Sequence, residues 1–293
     1  MCASYIHKLI YEKLYINHMK NYINFITEKY TEELSEDEFD KLFKTSPLYD
    51  TFMKNDINDL TIIYRGVEGN DYRGKFNNYY GDYNVIDPKE IERVSPNASS
   101  NLYNLFFSNS ERWSEYPKRN KSLICGDFNA VSRRGDNTQM IVIPLEHVKI
   151  GVCSDDDIWT SFGNSLKNCS YINNFFNFID NEYNRIGGFV DPIDDQNWNN
   201  FVKDLNLYDE LRKGEENLYK YIRDNSLIEK YIDEKISTLE LLDELFDPKK
   251  NDFQLLEYDG TNLPTNREVW TDSKCLLVKS NMFFKYLIKN KSK

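Results

Sequence analysis

Histidine is scarce in this 293-residue sequence, with three copies, His7, His18 and His147. The five cysteines, Cys2, Cys125, Cys153, Cys169 and Cys275, are scattered, with no closely spaced pair. A zinc site of ordinary composition draws on a cluster of such ligands, and their scarcity and scatter argue against one. An odd, dispersed set of thiols points to a reducing cytosolic compartment rather than a disulfide framework. The sequence holds no G-x-x-x-x-G-K-[ST] phosphate loop, and no G-x-G-x-x-G follows a strand pattern. No run approaches the ~20 apolar residues of a membrane span. The first residues lack the continuous apolar core and small-residue cleavage site of a signal peptide, so the expected location is the cytoplasm. Basic charge is also in deficit: 37 Lys and Arg stand against 48 Asp and Glu, a net charge of -11. Phosphate neutralisation needs concentrated cations, so this balance argues against nucleic acid as a partner and favours basic ones.

Aromatic residues are plentiful by contrast, with 21 Tyr and 18 Phe, and are expected to fill much of the core. Two basic islands interrupt the acidic background, Lys118-Arg119-Asn120-Lys121 and Arg133-Arg134, each open to reading as a solvated turn or a local binding patch.

Apolar spacing predicts helices from about residue 4 to 55, with Ser35-Glu36-Asp37-Glu38 capping a new one. The β-branched run Leu60 to Tyr64 reads as a strand ending on Arg65-Gly66. A short helix over Asn101 to Phe107 and strands over Ser122 to Cys125, Met140 to Ile143 and Val148 to Val152 follow, Pro144 stopping the second of these strands. From about Trp159 to Leu245 the pattern is helical, clearest from 215 to 246, where Leu218, Tyr221, Ile222, Ile228, Tyr231, Ile232, Ile236, Leu239, Leu242 and Leu245 form an apolar stripe. Strands resume over Phe253 to Tyr258, Arg267 to Trp270 and Cys275 to Val278. The expected class is α+β in one composite domain: an N-terminal helical part (1–57), a first part of the β core (58–158), a helical insertion (159–248) and a last part of the core (249–293).

Four candidate chemistries stand out. Asp155-Asp156-Asp157 is a carboxylate cluster that would hold Mg²⁺ or Ca²⁺, or simply cap a helix beginning at Ile158. His147, in an apparent turn after Pro144, is either a base or an exposed loop histidine. Arg65 at a strand end suits a phosphate or carboxylate, with Gly66 allowing close backbone approach, or it serves a structural ion pair. Glu268 lies on a strand two residues after Asn266, a spacing of roughly 6.6 Å that would put both on one face.

In their order, these segments resemble the ADP-ribosyltransferase superfamily, in its arginine, serine, glutamate branch found in bacterial toxins and bacteriophage enzymes. The resemblance rests on Tyr64-Arg65-Gly66; on Ser122 to Ala130, then Gly135 and Met140 to Pro144; and on Asn266 to Trp270 leading to Cys275 to Val278. It implies a split mixed or antiparallel β core and transfer of ADP-ribose from NAD, with release of nicotinamide, to a protein acceptor. The acidic balance makes that acceptor a basic one, in the host cytoplasm if the protein is viral. Glu268 would then stabilise the ribosyl cation and Asn266 would face the acceptor. Arg65 with Gly66 and Tyr64 would hold the dinucleotide, and Ser122 would support the glutamate or the nicotinamide ribose. Tyr72, Tyr79, Tyr80, Phe106 and Phe107 are candidates to stack on its rings. The sequence departs from the family at two points: there is no Ser-Thr-Ser triplet, so Cys125-Gly126-Asp127 is an alternative register for the serine motif, and Asn266 stands where the family has Glu or Gln. These departures also fit a non-catalytic module that keeps the fold and binds a partner through the helical insertion.

Overall fold

The structure, a computed structural model, describes residues 31–67, 81–90, 98–133, 138–158, 160–167, 215–233 and 235–291. The helical pattern over 4–30 and 168–214 lies outside these residues, as do Tyr72, Tyr79, Tyr80 and Trp159. The described chain is α+β. Its strands are β1 (Thr31–Glu33), β2 (Tyr64–Val67), β3 (Tyr83–Ile86), β4 (Leu123–Gly126), β5 (Thr138–Pro144), β6 (Lys149–Val152), β7 (Gln254–Glu257), β8 (Glu268–Thr271) and β9 (Cys275–Lys279). All pair antiparallel in one sheet, in the order β1-β3-β9-β5-β2-β4-β8-β6-β7. Strands from before and after the helical residues 215–245 thus interleave: β9 sits between β3 and β5, and β8 between β4 and β6.

The middle of the sheet forms where the sequence is most continuously apolar. Met140, Ile141, Val142 and Ile143 of β5 are fully buried, as are Leu276, Leu277 and Val278 opposite them on β9. Such runs bury both faces, so they read as unbroken apolar stretches rather than alternating ones. Pro144 closes β5, since it has no N–H to extend the ladder. Helices α1 (Glu36–Phe43), α2 (Tyr49–Lys54) and α8 (Ser280–Lys291) join this core through Phe39, Phe43, Phe52 and Phe283. Helix α1 starts on the capping box anticipated at Ser35, which accepts from the Glu38 amide while Glu38 accepts from the Ser35 amide.

A second cluster lies against the β8 side of the sheet. It gathers Phe106 and Phe107 from α3 (Ala98–Asn109), Trp113, Phe162, Trp270, and the apolar faces of α5 (Glu215–Tyr221), α6 (Asn225–Ile232) and α7 (Thr238–Leu245). Phe106 and Phe107 are therefore core side chains and not a ring-stacking surface. The stripe from 215 to 246 is folded into three short helices because Asp224 and Ser237 supply N-caps for new ones.

Three expectations are corrected here. Residues 31–33 form a strand inside the stretch read as helical, pairing with β3. The strand placed at 60–64 begins only at Tyr64, so Arg65 is its second residue rather than its end. Asp155 to Asp157 open no helix: they lie in a bend where Asp155 donates its amide to Ser161 Oγ and Ser161 Oγ donates to the Asp157 carbonyl. Among the described residues, no group of His, Cys, Asp or Glu is arranged to hold a metal ion.

One glycine is required by close packing. Gly151 pairs with Trp270 across β6 and β8, and a β-carbon at Gly151 would lie 2.2 Å from the indole ring. Gly151→Ala is expected to lower stability by about 1–3 kcal/mol through overpacking, read as a shifted denaturation midpoint.

Candidate functional site

Alternation along β8 decides what Glu268 meets. Val269 turns into the sheet core, while Trp270, and with it Glu268 two residues earlier, turns toward the helical cluster. Glu268 is only 3 % exposed. Its backbone is held on both sides: Gly126 of β4 is its register partner, Cys153 donates its amide to the Glu268 carbonyl at 2.9 Å, and the Glu268 amide donates to the Asp155 carbonyl at 3.3 Å.

The partner of its carboxylate is Arg119, from the basic island that precedes β4. Arg119 Nη2 donates to Glu268 Oε1 at 2.6 Å, and the guanidinium is itself only 7 % exposed. It lies over the Trp270 ring, 5.4 Å from the centroid, and Trp270 Nε1 donates to the Pro117 carbonyl at 2.8 Å. A buried guanidinium is costly without a counter-charge, and the reading of 118–121 as a solvated turn fails at this residue. Burial is the largest single influence and opposes its charge, but Glu268, Tyr103 and Cys153 together outweigh it and hold its pKa above the ordinary arginine range. Arg119 Nη1 is buried and meets no hydrogen-bond acceptor among the described residues. An unmet buried donor costs about 1–3 kcal/mol.

Cys153 completes this cluster, its Sγ 3.7 Å from Glu268 Oε1. Burial, reinforced by the Glu268 charge and opposed by Arg119, raises its thiol pKa well above the usual value. Burial likewise raises Cys275, and pushes Tyr116 up to about 12. The sign follows from proton counting: above pH ~8.5 the unfolded thiols ionise while the folded ones stay protonated, so the folded state binds more protons. Stability from these groups is fully present at neutral pH and falls as pH rises through the alkaline range. Denaturation midpoints measured from pH 7 to 10 are expected to decline above about pH 8.5.

Arg65 stands where the sheet divides. Strands β2 and β4 pair only at Tyr64 and Gly126, and beyond that point Arg65 Nη1 reaches across to the Ile124 carbonyl at 3.1 Å. Gly66 is an ordinary ladder residue opposite Gln139. Tyr64 is buried, its ring edge-on to Phe128 at 5.6 Å, and Phe128 is 54 % exposed on α4 (Phe128–Arg133), the helix that follows β4.

Ser122 and Asn266 do not stand where the sequence reading put them. Ser122 is fully buried just before β4, and its hydroxyl donates to the Lys118 carbonyl at 2.7 Å. It lies four positions before Gly126, the partner of Glu268, or roughly 13 Å along the extended chain. Asn266 adopts φ 56° in a turn before β8 begins, so the two-residue period cannot put it on the Glu268 face. His147 lies elsewhere, with Nε2 3.1 Å from Asp272 Oδ1. Arg119 is the site residue that sequence reasoning missed, and its signal was a basic island in an acidic chain.

Compared with known proteins, the chain matches no family model, no curated protein and no solved structure.

Proposed function

We propose that this protein cleaves the nicotinamide–ribose bond of NAD and passes the ADP-ribosyl group to a protein acceptor or to water. One observation carries the reading: β2, β4 and β8 lie side by side with Tyr64, Gly126 and Glu268 in a single row. The strands that carry Arg65 and Glu268 are therefore two strand spacings apart, roughly 10 Å, with Tyr64 in the Glu268 row and Arg65 one residue further along β2. The elements that carry the resemblance to ADP-ribosyltransferases are also present in order: β2 with Arg65, β4 leading through Ala130 on α4 to β5 and Pro144, and β8 leading to β9. In this reading Arg65 holds the anionic side of NAD. Glu268 stabilises positive charge developing on the ribose as nicotinamide departs, an interaction strongest in the transition state.

The test is direct. Purified protein is incubated with NAD, nicotinamide release is followed by chromatography, and labelled NAD is added with cell lysate to reveal modified proteins. Release of nicotinamide is expected; absence of both release and labelling would overturn the proposal.

A second reading is favoured by burial: Glu268 and Ser122 are both closed off, one in an ion pair and the other on a backbone carbonyl. A non-catalytic module that keeps this architecture and binds a partner through the 159–248 insertion would show no turnover. It would instead recover a stoichiometric partner, lost when that insertion is replaced.

A further inference from the structure

We infer that Arg119 is a positioning residue for Glu268, fixing its carboxylate in one orientation for the ribose; this deepens the NAD-cleaving reading and rests on it. Nothing in the family pattern quoted above assigns this residue a role. Each part of the contact is held from outside. Ser122 Oγ closes the turn that carries Arg119 by donating to the Lys118 carbonyl. The guanidinium lies over Trp270, whose indole is tied to the Pro117 carbonyl. On the other side, the Glu268 backbone is gripped by β4 and by residues 153 and 155. The result is a 2.6 Å charge-assisted hydrogen bond between two nearly inaccessible groups, which leaves the carboxylate little freedom to turn.

Arginine suits this task better than lysine because its planar fork sets direction as well as charge. With the bond to Glu268 on Nη2, Nη1 is a second donor inside the same buried cluster. In the reaction, the bond from ribose C1′ to the nicotinamide nitrogen breaks and its electron pair leaves with nicotinamide. An oxygen or nitrogen of the acceptor then bonds to C1′ and gives its proton to solvent. Arg119 stays protonated throughout and exchanges nothing. It keeps Glu268 ionised, since a buried carboxylate without a cation is driven toward its neutral form. The other titratable groups here are Cys153, at 3.7 Å from Oε1, Tyr103 on α3, which faces Arg119, and Asp157, which acts on Cys153. The Cys153 thiol is protonated at neutral pH.

The experiment compares nicotinamide release from NAD by the full chain, by Arg119→Met and by Arg119→Lys, from pH 4.5 to 9. Arg119→Met is expected to lose about 10²-fold in kcat with KM for NAD within about threefold, and its acid limb should move up by about one pH unit or more. Arg119→Lys restores the cation and is expected to recover to within about tenfold of the unaltered protein, with the acid limb back in place. A folding role alone would lower the melting temperature and leave the acid limb where it was. An unmoved limb with kcat within about threefold, while Glu268→Gln is inactive, would overturn the positioning role and leave the NAD reading standing. Absence of turnover in the unaltered protein would overturn both. Should Arg119→Met fail to fold, Arg119→Lys decides: a limb displaced despite the restored charge counts against the inference.

Discussion

Glu268→Gln is expected to reduce nicotinamide release by about 10²–10³-fold, the loss that follows removal of one preorganised electrostatic contact to a transition state. The substitution keeps the shape of the side chain and removes its charge. That charge is the property needed, because cleavage creates positive charge on the ribose and a neutral amide offers only a dipole against it. NAD binding is expected to change little, since the ground-state ribose carries no charge to be neutralised, so the loss should fall on kcat rather than KM. Glutamine also leaves Arg119 without its counter-ion, so the variant must first be shown to be folded by circular dichroism. Glu268→Asp, which keeps the charge and retracts it by one methylene, separates the two effects. It should hold the ion pair better than glutamine does, yet lose activity through misplacement. Full activity in folded Glu268→Gln would remove the carboxylate from the mechanism.

The second large effect is on stability. Removing either partner of the Arg119–Glu268 pair should destabilise the fold by about 3–5 kcal/mol, because the remaining charge is buried without compensation. For a chain of this length that corresponds to a fall in melting temperature on the order of 10 °C. The double replacement Arg119→Met with Glu268→Leu should recover most of the loss, since neither charge is then left to be desolvated. Chemical denaturation of both single variants and the double variant gives the coupling directly. A double variant as unstable as the sum of the singles would mean that the two side chains do not stabilise each other. Restored stability without restored activity is the combination expected of a pair kept for the site rather than for the fold.

Much of the fold was legible from local pattern. β5 and β9 show as unbroken β-branched and leucine-rich runs, Pro144 marks where β5 must stop, and Ser35 with Glu38 marks the start of α1. These signals are local because backbone restriction, capping and side-chain shape act within a few residues. Glu268 and Arg65 were legible in the same sense, as charged residues within or beside strand-forming runs. The pairing of β1 with β3 was not, since three polar residues become a strand only when an edge is available to them.

The candidate site divides along the same line. Composition alone determined that the protein is acidic, poor in histidine and cysteine and rich in aromatic residues for its core. Local pattern set which segments become strands. Tertiary structure alone decided that β2, β4 and β8 are neighbours, that Ser122 lies four positions before Gly126, the register partner of Glu268, and that Asn266 sits in a left-handed turn ahead of β8. It also decided that Arg119, 149 residues from Glu268, is its partner. Register sets these distances, and register follows from which apolar faces bury together across the whole sheet, a choice no short stretch of sequence contains.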